Sequence, residues 1–412
     1  MRISLLLERE PFGTILEQTL SKFWTLFYGQ AYSVRWQAGC PGFHGHRAIP
    51  SGQQWLVNAY LNAIFVRNVE PAVFEPVRRE FSRSTIWWKR PLQQTYVTAG
   101  LSRFTAPWLA QASLHVAPGV EDARHKLIVA GNHKIRILDE RKGLSYGLLK
   151  HGFDDRFMQR ELRYRQMADS LGIPSPPLIE ISPQGDWFVE QFVNGTPVNR
   201  LDGVEIARRA VATASKALRR LIEHTVQSEQ LDVYLSSLTS RIGSLIASNH
   251  LLSGTQKHAL QKNVERLQRG ILQQTTSESR SIPVAITHGD FQPANILVNS
   301  DQVWLIDWEY ADRRQAAYDL LVYGLKARFP HGLASRLKAF VDGRYSLQIP
   351  GVEGWPGFPD RSQAERRRIA SLFLMEELAL HLEENAQPLL ARVGEGLRLL
   401  QVEIARWLEQ LS

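Results

Sequence analysis

The sequence predicts an α+β protein with an extra N-terminal region, a small β-rich region and a larger helical region. Short apolar runs between residues 126 and 150 have the character of strands and are separated by turn residues. Further along, apolar residues recur at helical spacing, as in 204–226 and 363–410. One strand–turn–strand pattern, at residues 296–306, interrupts these helices. These features predict a β-rich region followed by helices that enclose a single hairpin.

Length and composition indicate a globular chain of more than one folding unit. The chain has 412 residues, of which 44% are hydrophobic and 22% charged. A single cysteine, Cys40, excludes an internal disulfide framework and fits a reducing compartment. No stretch approaches 18 uncharged apolar residues, so we expect no transmembrane segment and a cytoplasmic protein.

The net charge of +8 raises the question of a nucleic-acid partner. The basic residues are scattered in short groups such as Arg78–Arg79 and Arg208–Arg209, and they form no long tract. This distribution disfavours nucleic-acid binding and leaves peripheral contact with an anionic membrane surface open.

Three regions follow from these patterns. Residues 1–120 are rich in tryptophan and form an N-terminal extension whose fold the sequence does not reveal. Residues 121–195 form the β-rich region with one helix. Residues 196–412 form the helical region, which contains the segment that carries the chemistry.

That segment, residues 287–307, reads THGDFQPANILVNSDQVWLID. Asp290 can accept a proton from an attacking hydroxyl, while Asn295 and Asp307 offer the hard oxygen ligands that Mg²⁺ prefers. A hairpin between Asn295 and Asp307 would bring these two residues together. Phosphoryl transfer needs a group that orients the nucleophile, here Asp290, and cations that hold the phosphate oxygens, here the Mg²⁺ that Asn295 and Asp307 would bind. His288 is expected to brace the loop.

The spacing H-x-D-x-x-x-x-N is that of a phosphotransfer catalytic loop, and the later aspartate after a strand is the metal-binding one. A loop whose Asp and Asn only form turns is the structural alternative. HGDFQPANIL followed by LIDWEYADRRQAAYDL resembles the aminoglycoside phosphotransferase and choline kinase family. The resemblance covers residues 125–400 and implies a two-lobed protein-kinase-like fold that uses ATP and Mg²⁺. It also implies that Asp319 is buried and supports the catalytic loop.

The family comparison extends upstream to a lysine–glutamate pair. Lys150 ends a strand and Glu161 lies in the following helix, the positions that imply an ATP-phosphate lysine and its partner. His151 or Arg160 sharing that role stays open. A surface pair is the alternative without function.

Two further parts of a nucleotide site are implied by the resemblance. Gly131, between two strands, is a candidate for a phosphate-covering loop or an ordinary hairpin turn. Glu190 and Phe192 resemble the hinge between the lobes, where backbone groups would hold adenine.

The acceptor is the least readable part of the sequence. An amino alcohol, an aminoglycoside and a sugar, including one of a surface glycan or glycolipid, all remain open. Glu377 and Glu384 are seven residues apart, hence on one helix face, with His381 between them. They form either a carboxylate pair for a cationic amine or a solvated helix face. Residues 1–120 form either an acceptor site or a structural addition.

The sequence therefore predicts an ATP-dependent kinase of a small molecule. A pseudokinase or scaffold is the non-enzymatic alternative, which competent residues at the expected catalytic positions argue against. A protein kinase is disfavoured because no Ala-Pro-Glu segment follows Asp307.

Overall fold

A computed structural model describes residues 2–41, 52–81, 87–275, 280–357 and 362–411. The chain divides into two compact units. Unit 1 comprises residues 1–159 and 176–196, and unit 2 comprises residues 160–175 and 197–412. Within the described ranges, no helix combines the length and the apolar character that crossing a membrane requires.

Unit 1 is built on a nine-stranded antiparallel sheet with the order β1-β4-β2-β3-β5-β6-β7-β9-β8. The strands are β1 Ser33–Ala38, β2 Gln53–Asn58, β3 Ala63–Val66, β4 Ala112–Ala117, β5 Lys126–Ala130, β6 Lys134–Asp139, β7 Leu144–Leu149, β8 Leu178–Ile181 and β9 Trp187–Gln191. The helices are α1 Ile3–Arg9, α2 Phe12–Tyr28, α3 Glu75–Phe81, α4 Arg90–Gly100 and α5 Ala106–Leu109.

The expected boundary at residue 120 lies inside this sheet. Strand β3 pairs with β5 through Ile64 and Ile128, so strands of the N-terminal region continue the strands of the β-rich region. One apolar core, which includes Trp24, Trp55 and Leu148, is shared by both. Residues 1–120 and the β-rich strands therefore belong to one unit, because each part contributes to the same sheet and core.

Helix α6, Arg156–Ser170, spans the boundary between the units, as does the short strand β10, Thr196–Pro197. The helix ends where Gly172 adopts a left-handed conformation with φ +63°. The Gly172 N–H then donates to Asp169 O, and the Ile173 N–H to Ala168 O. This pair of bonds forms a Schellman motif that satisfies the last carbonyls of the helix.

Unit 2 is mostly helical. Its helices are α7 Val204–Thr225, α8 Leu231–Ser248, α9 Gly254–Gln273, α10 Tyr318–Gly324, α11 Leu333–Val341, α12 Gln363–Glu384 and α13 Glu395–Leu411. Its remaining strands are β11 Gln227–Gln230, β12 Ser281–Thr287, β13 Ile296–Asn299, β14 Gln302–Leu305 and β15 Asp312–Gln315. Strands β11, β12 and β15 form an antiparallel sheet that the sequence did not predict.

Helix α12 lies in the core of unit 2. Its N-cap Ser362 accepts a hydrogen bond from the Glu365 N–H, and from Arg368 onward nearly every side chain is buried. A helix that is buried around most of its circumference packs against neighbours on several sides. It contacts α8, α9, α11 and α13. Polar side chains on α12 are therefore held against other elements of the unit.

Candidate functional site

Asp319, at the start of α10, holds the loop after β12 in place through hydrogen bonds to its backbone. Its carboxylate accepts the His288 N–H at 2.7 Å and the Gly289 N–H at 2.9 Å. Asp319 is fully buried, and burial raises its pKa, while His288 and these two N–H groups act in the opposite direction. The structure thus brings Asp319 to the place where the sequence predicted a supporting carboxylate.

His288 is a buried brace for the same loop. Its Nε2 donates to the Ile306 carbonyl at 3.0 Å, and its Nδ1 accepts the Asp290 N–H at 3.3 Å. A carbonyl only accepts and a backbone N–H only donates, so this pattern fixes the neutral tautomer. Burial lowers the pKa of His288, which also keeps the ring neutral. The ring packs 4.5 Å from Trp308.

The carboxylate of Asp290 is held by three side chains. Oδ2 accepts from Asn295 Nδ2 at 2.6 Å and from Gln292 Nε2 at 2.9 Å. Oδ1 accepts from Arg328 Nε at 2.5 Å. Burial raises the pKa of Asp290 above its ordinary value, although Arg328 opposes the rise. Asp290 is therefore fixed in orientation and is more basic than a solvated aspartate.

The hairpin brings the backbone on either side of the two predicted metal ligands together. Strands β13 and β14 pair antiparallel, and the Ile306 N–H donates to the Asn295 carbonyl at 3.1 Å. The side-chain nitrogen of Asn295 faces Asp290, which directs the amide oxygen away from that carboxylate. Asp307 adopts a left-handed conformation with φ +69°, a strain that often accompanies functional positions. An amide oxygen and a carboxylate at adjacent positions suit Mg²⁺.

Arg328 is a site residue that the sequence did not reveal. Its guanidinium binds Asp290, donates through Nη1 to Glu377 Oε2 at 2.6 Å, and donates through Nη2 to the Gly289 carbonyl at 2.5 Å. The arginine follows Asp290 by 38 residues in the chain, and no motif surrounds it. Arg328 lies between α10 and α11 in the stretch KARFP, which offers no signal of a role in the site.

The two α12 carboxylates that the sequence offered as acceptor ligands, Glu377 and Glu384, are engaged within unit 2. Glu377 is 1% exposed and also accepts a hydrogen bond from Tyr318 Oη. Glu384 accepts from Tyr310 Oη, and His381 Nδ1 lies 2.8 Å from its other oxygen. A solvated helix face is therefore wrong for Glu377, because its helix is buried around most of its circumference. The helical spacing does place His381 between the two, with Nε2 3.9 Å from Glu377.

In unit 1, Lys150 is fully buried and forms an ion pair with a residue from the N-terminal region. Its Nζ lies 2.6 Å from Glu10 Oε1, and the rings of Phe153 and Phe12 flank it at 5.0 and 5.7 Å. Glu161 is buried in unit 2, so the predicted pairing of Lys150 with Glu161 stays a prediction. The sequence did not identify Glu10.

The backbone groups predicted to bind nucleotide have internal partners in unit 1. The Gly131 N–H donates to the Lys134 carbonyl at 2.9 Å, so this residue forms part of an ordinary hairpin turn. The Phe192 N–H donates to the Gly143 carbonyl at 2.8 Å and is not directed at a ligand. The carboxylate of Glu190 accepts from Arg136 and from Ser145 Oγ. The Gly131 contact fits the hairpin-turn alternative, and nucleotide binding by Gly131, Glu190 and Phe192 stays a prediction.

The described part of the chain contains no group of three His, Cys, Asp or Glu side chains that could together hold a metal ion. Asn295 and Asp307 would therefore supply only part of the coordination of a Mg²⁺ ion, whose remaining ligands are commonly water and substrate phosphates.

The chain is similar to several solved structures and to one protein-family model. No curated protein sequence matches the chain. Among solved structures, a choline/ethanolamine kinase family protein from Mesorhizobium loti has a TM-score of 0.41 and 16% identity, covering 67% of this chain and 84% of its own. A Plasmodium vivax ethanolamine kinase has a TM-score of 0.42 and 12% identity, covering 82% and 94%. A choline kinase from Streptococcus pneumoniae has a TM-score of 0.41 and 12% identity, and the match covers 71% of this chain and 92% of that protein.

The family model described as the phosphotransferase enzyme family matches residues 149–356, half of the chain. The matched range contains Lys150 and the whole stretch from His288 to Asp319. The chain, an α+β protein, therefore belongs to the phosphotransferase enzyme family.

Proposed function

We propose that this protein is an ATP- and Mg²⁺-dependent phosphotransferase that moves the γ-phosphate to a hydroxyl of a small molecule. The observation that carries the proposal is the grouping of Asp290, Asn295 and Asp307 at the ends of one hairpin. Phosphoryl transfer requires little covalent work from a protein and depends on positioning and charge. These three side chains would supply both the positioning of the acceptor and the charge that holds the cation.

Asp290 has the role of orienting the acceptor hydroxyl and taking its proton. The acceptor oxygen then forms a bond to the γ-phosphorus, and the bond from that phosphorus to the β–γ bridging oxygen breaks, releasing ADP. The raised pKa of Asp290 favours the proton transfer. Asn295 and Asp307 would hold Mg²⁺, which when bound neutralises charge on the phosphate oxygens. Lys150 would bind the other phosphates, and Glu161 stays its predicted helix partner.

The contacts of α12 favour a neutral sugar over a cationic amine as the acceptor. A cationic amine would need carboxylates whose charge is not offset, but the charge of Glu377 is offset by Arg328. Glu384 likewise has Tyr310 and His381 as partners. A sugar of a surface glycan or glycolipid fits this arrangement, since sugars bind through hydrogen bonds.

The test is a screen of sugars, amino alcohols and aminoglycosides for ATP consumption by the wild-type protein and by Asp290→Asn. Removing a general base slows transfer by roughly 10²- to 10⁴-fold, and Mg-ATP binding should persist in the variant. Asp301→Asn, an exposed aspartate in the β13–β14 turn, is the matched control. Undiminished transfer by Asp290→Asn would refute the mechanism.

A pseudokinase or scaffold is the competing proposal. It predicts no turnover with any acceptor. Thermal unfolding with and without Mg-ATP gives a first separation, because a ligand that binds the folded state raises the unfolding temperature.

A further inference from the structure

The turn between α1 and α2 is built so that one carboxylate points at Lys150. Glu10 has an extended backbone, with φ −148° and ψ 159°, and its N–H donates to the Leu6 carbonyl at 3.0 Å. Its own carbonyl accepts the Phe12 N–H at 2.7 Å. Pro11 follows and cannot continue a helix from the preceding turn. The position of Glu10 is therefore fixed from both sides.

Both helices are anchored next to the end of β7, the strand that leads into Lys150. Leu6, Phe12 and Leu16 share a core with Leu148. Helix α2 also contacts the residue after the lysine, since Thr19 Oγ1 accepts the His151 N–H at 2.9 Å. The N-terminal helices consequently hold the backbone at Lys150 as well as its side chain.

The ion pair between Glu10 and Lys150 is shielded from water. The side chains of Lys150 and Glu10 are 0% and 1% exposed, and their charged atoms lie 2.6 Å apart. A buried ammonium stays charged when an anion lies beside it, and removing one partner of such a pair leaves the other charge buried and uncompensated. A lysine side chain without such a partner loses rotamer entropy when binding of a ligand fixes it.

We propose that Glu10 is a positioning residue for the phosphate-binding lysine, so that the N-terminal region forms part of the nucleotide site. The inference rests on the proposed function, because it assigns Lys150 to ATP. Glu10 acts by holding Nζ in one place before the nucleotide arrives. A group fixed in advance binds its ligand more tightly than one that must be ordered on binding.

The test is calorimetric binding of Mg-ATP by the full chain. We expect Glu10→Gln to weaken binding by about 10-fold or more, and Glu10→Asp, which keeps the charge, to lie between it and wild type. Glu8→Gln, at an exposed glutamate of α1 two residues before Glu10, is the control and should match wild type. If Glu10→Gln does not fold, the comparison of Glu10→Asp with wild type decides.

A double-mutant cycle separates this role from a structural one. In the Lys150→Met background the additional change Glu10→Gln should have no further effect on Mg-ATP affinity, because Glu10 acts through the lysine. Additive losses would overturn the inference, as would unchanged or tighter binding by Glu10→Gln in an otherwise normal protein. Failure of the wild-type protein to bind Mg-ATP would instead remove the proposed function, and this inference with it.

Discussion

Arg328 Nε donates to Asp290 Oδ1 at 2.5 Å, so a guanidinium is paired directly with the proposed catalytic carboxylate. The same arginine binds Glu377 and the Gly289 carbonyl. Burial alone would raise the pKa of Asp290 further, and the positive charge of Arg328 limits that rise. The arginine thus sets how much of Asp290 is ionised at a given pH.

Replacing this arginine should change the pH profile of the reaction. In Arg328→Gln the pKa of Asp290 rises, and the acid limb of the rate profile moves upward by about 1 to 3 pH units. The limb moves up because Asp290 must be ionised to take a proton. The measurement is kcat/KM from pH 4.5 to 9. Arg344→Gln removes an exposed arginine and should leave the limb in place; an unmoved limb in Arg328→Gln would contradict the role.

Gly289 should not tolerate a side chain. Its φ is +82°, and a Cβ there would lie 2.0 Å from the Tyr310 carbonyl, which also accepts from Arg314. Gly289→Ala should lose activity and unfold at lower temperature. Gly172→Ala is the matched control, since Gly172 also has a positive φ but nothing within 4 Å of its Cβ position. That change should cost only about 1–2 kcal/mol.

The free energy of unfolding of the protein should fall as the pH rises, because Glu376 is buried. Burial raises its pKa from 4.5 to about 7, against the opposing hydrogen bonds from Tyr234 and Gln315. The folded protein therefore keeps a proton that the unfolded chain releases. Its stability should decline between about pH 4.5 and pH 7, by on the order of 3 kcal/mol from this group.

The measurement is the unfolding temperature as a function of pH for wild type and Glu376→Gln. The substitution removes the titrating group, while the amide oxygen can still accept a hydrogen bond from Tyr234. The unfolding temperature of the variant should therefore vary less with pH than that of wild type. Glu409→Gln, at an exposed glutamate of unit 2, should follow wild type. A variant slope equal to that of wild type would show that Glu376 does not titrate in this range.

Asp307→Asn should raise the Mg²⁺ concentration needed for half-maximal activity. The substitution keeps an oxygen but removes the charge that a hard cation prefers, and a change of about 10- to 100-fold is typical of metal-site variants. Titration of Mg²⁺ at saturating ATP gives the concentration for half-maximal activity. Chelation of the metal should abolish the activity of both wild type and Asp307→Asn. An unchanged Mg²⁺ requirement would exclude Asp307 as a ligand.

Local patterns predicted much of the fold and part of the candidate site. The strands at 126–149 and the hairpin after Asn295 follow from short-range periodicity and turn residues. The loop spacing predicted Asp290, Asn295 and Asp307, and the structure brings the first two into contact. These features depend on residues that are close together in the chain.

Contacts between distant segments were not predictable. Arg328 reaches Asp290 from 38 residues away, and Glu10 reaches Lys150 from 140 residues away, with no sequence pattern linking either pair. The strands before residue 120 find partners only through long-range pairing, which periodicity does not encode. The face shared by Glu377 and Glu384 was predictable, but the burial of Glu377 depends on the helices that surround α12.

The pairing of β3 with β5 limits how this protein can be divided. A fragment that begins after residue 120 would lack four of the nine strands and the tryptophans of the shared core. Its β5 would become an open edge with unpaired backbone groups, the kind of surface that promotes aggregation. The N-terminal region and the β-rich strands therefore have to fold together to complete the sheet and core of unit 1.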